Sequence, residues 1–288
     1  MEPPTMTVTA HESERVRWQN VRRHPDPHIR ALVHDYQGYE QVTPCPTLER
    51  HMPQGAITVI INFGPNLRTL DPRDPEAPAF APDAFVAGMS DSFAISESLG
   101  ISRGLQLDFT PIGARLFFGV PMDTLFGRVA DLADVLGAPG SRLVDQLRTM
   151  RSWEERFALV DETIAARFGE GRTVSPGVAW AWQRLNETHG RIDVRSLAAE
   201  LNWSRKHLAA QFREQIGAPP KLVARLLRFR RAVRLLDRVP AGRWAEIAYC
   251  CGYYDQAHFI RDFRQFAGGT PTDYLARRLP GQFSIDGS

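Results

Sequence analysis

Two segments of the chain carry one pattern. "LAAELNWSRKHLAAQF" (residues 197–212) and "IAYCCGYYDQAHFIRDF" (residues 247–263) superimpose, with one extra residue in the turn of the second. Leu197-Ala198 falls on Ile247-Ala248, Asn202 on Gly252, and Leu208 and Phe212 on Phe259 and Phe263. A small Ala inside the first helix lets two helices approach closely. Asn or Gly at the turn accepts a left-handed backbone. An i, i+4 apolar pair then anchors a second helix, which is the form of a helix-turn-helix. One copy is a weak signal, because many helical hairpins mimic it. Two copies bridged by one long basic helix, "PPKLVARLLRFRRAVRLLDR", restrict this region to an all-α unit with two equivalent second helices. In the second copy Phe259, Phe263 and Phe266 stand at i, i+4 and i+7, with Arg261 and Arg264 between them and Gln256 and His258 just before. One face is built for a core, the other for a polar, acidic partner.

The charge distribution points the same way. The net charge of +2 hides a split. Residues 172–280 carry 19 Lys and Arg against 9 Asp and Glu, a net of +10. Residues 1–171 carry 16 against 23, a net of −7. Such asymmetry suggests that the C-terminal part meets a polyanion, although a solvated basic surface gives the same count. The cations there are nearly all Arg, which suits bidentate contacts to phosphate and guanine.

A chain of 288 residues, 43% hydrophobic and 24% charged, is read as about two domains that bury sizeable cores. The first 50 residues are rich in Pro, His and Arg and read as extended segments and turns. "AITVIINFG" is β-branched, apolar and closed by Gly, as a buried strand would be. "FVAG", "SFAISES" and "GLQLDF" read as further short strands. Short strands with frequent turns predict a small antiparallel barrel or sandwich over residues 1–120. After Pro111 the period becomes helical, through "DTLFGRVADLADVLG", "SRLVDQLRTM" and "SWEERFALVDETIAARFG". Ser152 and Glu155 are spaced as a capping box. This helical extension with its linker occupies residues 121–171, ending at "GEGRT"; it either packs on the barrel or pairs with its equal. Residues 172–280 complete the chain as the all-α unit, and the fold class is α+β. Within it Ser175, Asp193 and Ser204 are expected as N-caps.

Here the sequence resembles a known family. Residues of roughly 175 to 280 look like the tandem helix-turn-helix domain of AraC/XylS-type transcription regulators. The second repeat carries that family's signature: Gly with an aromatic, an acidic residue, Gln, the spaced Phe pair, then Thr-Pro and Tyr274. The resemblance implies a sequence-specific regulator of transcription whose partner is double-stranded DNA, and RNA polymerase if it activates. It implies two recognition helices, at about 204–216 and 255–266, spaced by the long helix so that they enter successive major grooves. The residues expected to meet DNA are Ser204, Arg205, Lys206, Ala209, Ala210 and Arg213 in the first repeat. In the second they are Asp255, Gln256, Ala257, His258, Arg261 and Arg264. Two departures stand out: Asn202 replaces the more usual turn Gly, and Ala209 and Ala210 stand where some relatives place polar base readers. The second helix therefore takes the larger share of base recognition. The family's N-terminal regions often look like cupin-type barrels that bind a small-molecule effector or form a homodimer, and that is the expectation for residues 1–120.

Other chemistry is weighed against this. A cupin-like metalloenzyme fused to a DNA-binding module would need early histidines such as His11, His24, His28, His34 and His51 to converge on a metal with a carboxylate. No H-x-H pair occurs, and "HPDPH" places two Pro against a helical ligand pair. Stoichiometric tightly bound iron or zinc would favour that alternative. Cys45, Cys250 and Cys251 are too few for a disulfide framework or a structural zinc site, so no cofactor, no metal and no enzymatic activity is expected. Phosphate-loop and nucleophile-elbow motifs are absent. Arg50, His51, Asn62, Arg103, Gln106 and Asp108 lie near expected strands and read mostly as surface positions. No apolar run approaches a membrane span and the first residues lack a secretory pattern, so a cytoplasmic protein without membrane contact is expected.

Overall fold

The computed structural model describes residues 6–13, 16–72, 77–236, 242–277 and 284–286. The first half is built from nine strands followed by a helical cover. The strands are β1 (Met6–Glu12), β2 (Arg17–Arg23), β3 (Val33–Val42), β4 (Thr47–His51), β5 (Ile57–Asn62), β6 (Arg68–Leu70), β7 (Ala84–Ala87), β8 (Ala94–Ser98) and β9 (Ile101–Phe109). Then come α1 (Pro111–Phe118), a 3-10 turn (Met122–Leu125), β10 (Val129–Asp131), α2 (Leu132–Leu136), α3 (Ala138–Thr149) and α4 (Trp153–Phe168). The larger sheet runs β1-β2-β3-β9-β5-β7-β10; the smaller contains β4-β8-β6. All these pairings are antiparallel.

The period of two decides where the core lies. Tyr36, Val59, Ile61, Leu105, Leu107 and Phe109 share one face of the large sheet and are buried. That face meets the helices. Tyr36 stacks on Phe157 at 5.9 Å and donates its hydroxyl proton to Asp161 at 2.9 Å. Phe109 stacks on Phe117 at 4.9 Å. Trp153 lies across Gly38, where any Cβ would collide with its ring. The opposite face looks toward the small sheet.

The helical extension packs on the barrel, with Phe157, Val160 and Ile164 at 1% exposure or less. Its capping box forms as the spacing predicts, Ser152 and Glu155 each accepting the other's backbone N–H. One expectation fails. "DTLFGRVADLADVLG" is not one helical run: Gly127 takes φ +66°, and residues 129–131 pair with β7 as an edge strand before Asp131 caps α2. Helical spacing in this stretch loses to the unsatisfied edge of β7, whose backbone groups need a partner.

The second half holds α5 (Pro176–Glu187), α6 (Val194–Glu200), α7 (Arg205–Ile216), α8 (Pro220–Leu236), α9 (Trp244–Cys251), α10 (Gln256–Ala267) and α11 (Pro271–Arg277). A last strand, β11 (Ser284–Asp286), returns to the edge of β4. The two copies of the repeat are α6-α7 and α9-α10. Asn202 and Gly252 both adopt left-handed backbone, at φ +54° and +79°, and the next amide of each turn donates to the Ala198 or Ala248 carbonyl at 2.9 Å. Phe212, Phe229, Phe259, Phe263 and Phe266 are all buried to 1% exposure or less. Two caps differ from expectation. Ser175 and Asp193 occupy N-cap positions without a side-chain capping bond, and the Ser175 amide donates instead to Gln215 at 2.7 Å.

Candidate nucleic-acid interface and barrel interior

Each reading helix starts from a capped end. Ser204 Oγ accepts the His207 amide at 3.1 Å, and Asp255 Oδ1 accepts the His258 amide at 2.7 Å. Ser204 and Asp255 thus hold helix termini, which leaves them less free to read bases. Arg205, Lys206, Arg213, Gln256 and Arg261 are exposed, and their side chains make no hydrogen bond or ion pair among the described residues. Ala210 and Ala257 are exposed and Ala209 is half-buried, so small apolar contacts remain open to them. Arg264 is exposed near Asp273, whose carboxyl is held below the usual range first by hydrogen bonds from Thr270.

The twelve expected residues therefore fall on the N-terminal turns and outer faces of α7 and α10. His258 is the exception in character. It is half-buried, packs edge-on against Tyr253 at 5.2 Å, and lies 3.9 Å from Asp262. His207 repeats this arrangement, edge-on to Trp203 at 4.6 Å. The aromatic–His pair is a feature of both repeats that sequence reading missed; the alignment of Trp203 with Tyr253 carried the signal. Also missed was Tyr249, 84% exposed before the second turn, whereas Tyr254, which the sequence places outward though not among the expected DNA contacts, is 94% exposed after it. Tyr254 is the extra residue of that turn.

The long helix is less of a phosphate binder than its composition suggests. Arg225 forms a two-pronged pair with the buried Asp262, its Nη2 2.7 Å from Oδ1, and also reaches Gln265 at 2.6 Å. Arg228 donates to the Gly190 carbonyl at 2.7 Å, and Arg230 to the Gln54 carbonyl at 3.3 Å. These three arginines tie α8 to its neighbours.

The C-terminal ends of both reading helices rest on the first half of the chain. Gly217, after α7, packs 3.1 Å from the Met122 carbonyl oxygen as measured from an added Cβ, and Arg115 lies 4.0 Å from Glu214. At the end of α10, Arg50 donates to the carbonyls of Gly268 at 3.3 Å and Ala267 at 3.5 Å while lying over Phe93 at 4.8 Å. Gln265 donates to the Asp91 carbonyl at 3.0 Å.

The space between the two sheets is the second site. Tyr39, Thr58, Gln106 and Asp108 point into it from the large sheet, and Thr47, Glu49, His51 and Ser96 from the small one. All but Ser96 are half-buried, where the helix-facing side of the large sheet is fully buried and apolar. Several positions read as surface are interior instead. Asn62 is 1% exposed and donates to the Pro82 carbonyl; His51 bonds Ser96 at 2.7 Å; Asp108 accepts from Thr58 at 2.7 Å and Gln106 at 2.8 Å. Burial pushes the His51 imidazole down to about 4 and raises the Glu49 and Asp108 carboxyls, the last opposed by its two hydrogen bonds. Alternation in "TLERH" and "GLQLDF" was the available signal, but it does not say which face meets helices. Among the described residues no group of three His, Cys, Asp or Glu could hold a metal, and no helix is long and apolar enough to cross a membrane.

Residues 197–277 match a family model described as a helix-turn-helix domain, and residues 21–131 match a domain of unknown function, DUF6597. Two capped helix-turn-helix units on one spacer helix define a DNA-binding transcription regulator. The DNA-binding domain of AdpA, a global transcriptional factor solved with a target DNA, is 31% identical over 38% of this chain and 97% of that one, with a TM-score of 0.31. The C-terminal domain of AraT, a response regulator from Geobacillus stearothermophilus, is 25% identical over 38% of this chain and 93% of its own, with a TM-score of 0.34. ToxT from Vibrio cholerae O395 is 12% identical over 80% of this chain and 96% of its own, with a TM-score of 0.45. No curated protein sequence matches the chain. Residues 197–277 belong to the AraC/XylS-type helix-turn-helix transcription regulators.

Proposed function

We propose that α7 and α10 read successive major grooves on one face of DNA, and that the barrel sets how they are held. The major groove admits one helix per turn of the duplex, and its base edges carry a distinguishable pattern of donors and acceptors. The observation that carries the reading is the matched pair of capped helix N-termini with unpaired polar side chains beside them. Gln256 suits adenine N6 and N7, and Arg261 suits guanine O6 and N7. Arg205, Lys206, Arg213 and Arg264 hold phosphates and fix register. Tyr254, fully outward, adds an apolar and hydroxyl contact at the second groove.

The barrel is the effector domain in this reading, and strand β4 is its route to the DNA reader. Alternate residues of a strand point to opposite faces. Glu49 and His51 face the interior, while Arg50 between them holds the end of α10. A ligand that shifts β4 therefore moves the second reader. Self-association through the barrel, and contact with RNA polymerase during activation, belong to the same reading.

Arg261→Ala tests base reading. It is expected to cost about 1–3 kcal/mol on a cognate site and much less on random DNA. Fluorescence anisotropy on both duplexes measures this. Equal losses on the two would reduce Arg261 to a phosphate contact.

A further inference from the structure

A sheet that ends in solvent leaves a row of backbone donors and acceptors without partners, and proteins blunt such edges. Among the described residues, three of the four sheet ends are blunted. The large sheet ends at β10 and the small one at β6 and β11, each three residues long. The remaining end is β1, seven residues from Met6 to Glu12, with no Pro, no Lys and no break in register. No described strand pairs with its outer side, and every residue from Thr7 to Glu12 is exposed.

The hairpin decides which groups face outward. The Ser13 amide donates to the Val16 carbonyl at 2.9 Å, so these two residues form a bonded pair. Bonded and non-bonded pairs alternate along an antiparallel ladder. His11, Thr9 and Thr7 therefore direct their backbone groups to β2, while Glu12, Ala10, Val8 and Met6 turn theirs outside. That set is symmetric about Thr9. Antiparallel pairing with a second copy, its twofold axis at Thr9, sets Val8 against Ala10 and Met6 against Glu12. Every outward N–H and C=O then finds a partner, as a self-complementary twofold interface requires.

The side chains agree with this register. Leu105, Gly38 and Val21 form one row across the helix-facing side of the large sheet, and Val8 is its next member. Leu105 and Val21 are buried, whereas Val8 is 54% exposed. In the paired state Val8 lies beside the second copy's Ala10 and diagonal to its Val8, so the apolar row runs on through the joint. β1 has no charge cluster that would select a foreign strand. Its one carboxylate, Glu12, is set against a methionine and far from its own equivalent. We propose that β1 is a self-association edge, through which two copies of the chain join their large sheets with Thr9 on the axis.

This assignment rests on the reading of the barrel as the self-associating domain, and the test separates the two. Sedimentation velocity of the full-length protein should show a concentration-dependent dimer. Val8→Pro removes an outward N–H and leaves the bonds to β2 in place, a position where edge strands accept Pro. By symmetry each dimer loses two bonds, and the dissociation constant should rise roughly tenfold or more. Circular dichroism checks that this variant folds; if it does not, a cross-link decides alone. Cα atoms of a non-bonded antiparallel pair stand about 4.5 Å apart, within reach of a disulfide. With the exposed thiols removed by Cys45→Ser and Cys250→Ser, oxidation should cross-link Thr9→Cys. Thr7→Cys should stay uncrosslinked, because its equivalents lie about four residues apart, roughly 14 Å. A dimer that a folded Val8→Pro leaves undiminished, or that fails to cross-link at position 9, overturns this edge and leaves self-association through another surface standing. A monomer at every concentration overturns both.

Discussion

Raising monovalent salt from 50 to 200 mM is expected to weaken DNA binding about 10³-fold. The estimate comes from counting cations that are free to meet phosphate. The domain's net charge of +10 would suggest about ten contacts and a still steeper response. Arg225, Arg228 and Arg230 are engaged inside the protein and do not count. Arg205, Lys206, Arg213 and Arg264 lie on the reading helices, and exposed flanking cations such as Arg195 and Lys221 bring the total to about six. Each neutralised phosphate contributes about −0.9 to the slope of log K against log salt, so the slope is about −5. Anisotropy titrations across that salt range give the slope directly. Lys206→Ala should flatten it by about 0.9 while leaving sequence preference unchanged. A slope shallower than about −2 would sink the two-groove geometry, because one helix alone could account for it.

The repeat made the second half legible from sequence. Turn residues, i, i+4 anchors and capping side chains are local rules, and Asn202, Gly252, Ser204 and Asp255 obey them. What stayed hidden depends on partners distant in sequence. Arg225 reads as one more cation of a basic helix until Asp262, on another helix, is placed beside it. Arg50 reads as a surface residue until the end of α10 arrives over it. In the barrel, alternation showed strands but not which face would meet helices. Polar residues such as His51 and Asp108 read as outward from sequence alone, since polar groups are usually exposed. The helical cover took the apolar face, and the polar face became the interior. The break at Gly127 was also hidden, because three residues of edge strand leave no periodic trace.

Asp262→Ala should be the most damaging single change in the reading domain, costing about 3–5 kcal/mol. Asp262 sits within α10, directly under the reading surface, with its side chain 3% exposed. A carboxylate there has given up water, and the pair with Arg225, 2.7 Å between Nη2 and Oδ1, replaces it. Removing the acid strands a guanidinium that lies over Phe266 at 5.0 Å and retains only Gln265 as a partner. It also removes the charged pair that joins the second reader to the spacer helix and leaves only the Gln265 bond beside the Phe229 packing, so the angle between the two readers loosens. Thermal denaturation should show a drop of more than about 10 °C for a domain of this size. Affinity for a cognate site should fall with it, because disordered readers must be ordered on binding. Arg225→Met combined with Asp262→Leu should recover most of the stability, since removing both charges leaves neither buried alone. The recovered protein should still bind a cognate site less well than the parent if the pair fixes reader geometry. Full recovery of binding in the double variant would show that the pair contributes stability and nothing to the alignment of α10. A loss under about 1 kcal/mol for Asp262→Ala would mean that water replaces the carboxylate at no cost, and the account of this pair as the spacer–reader joint would fail.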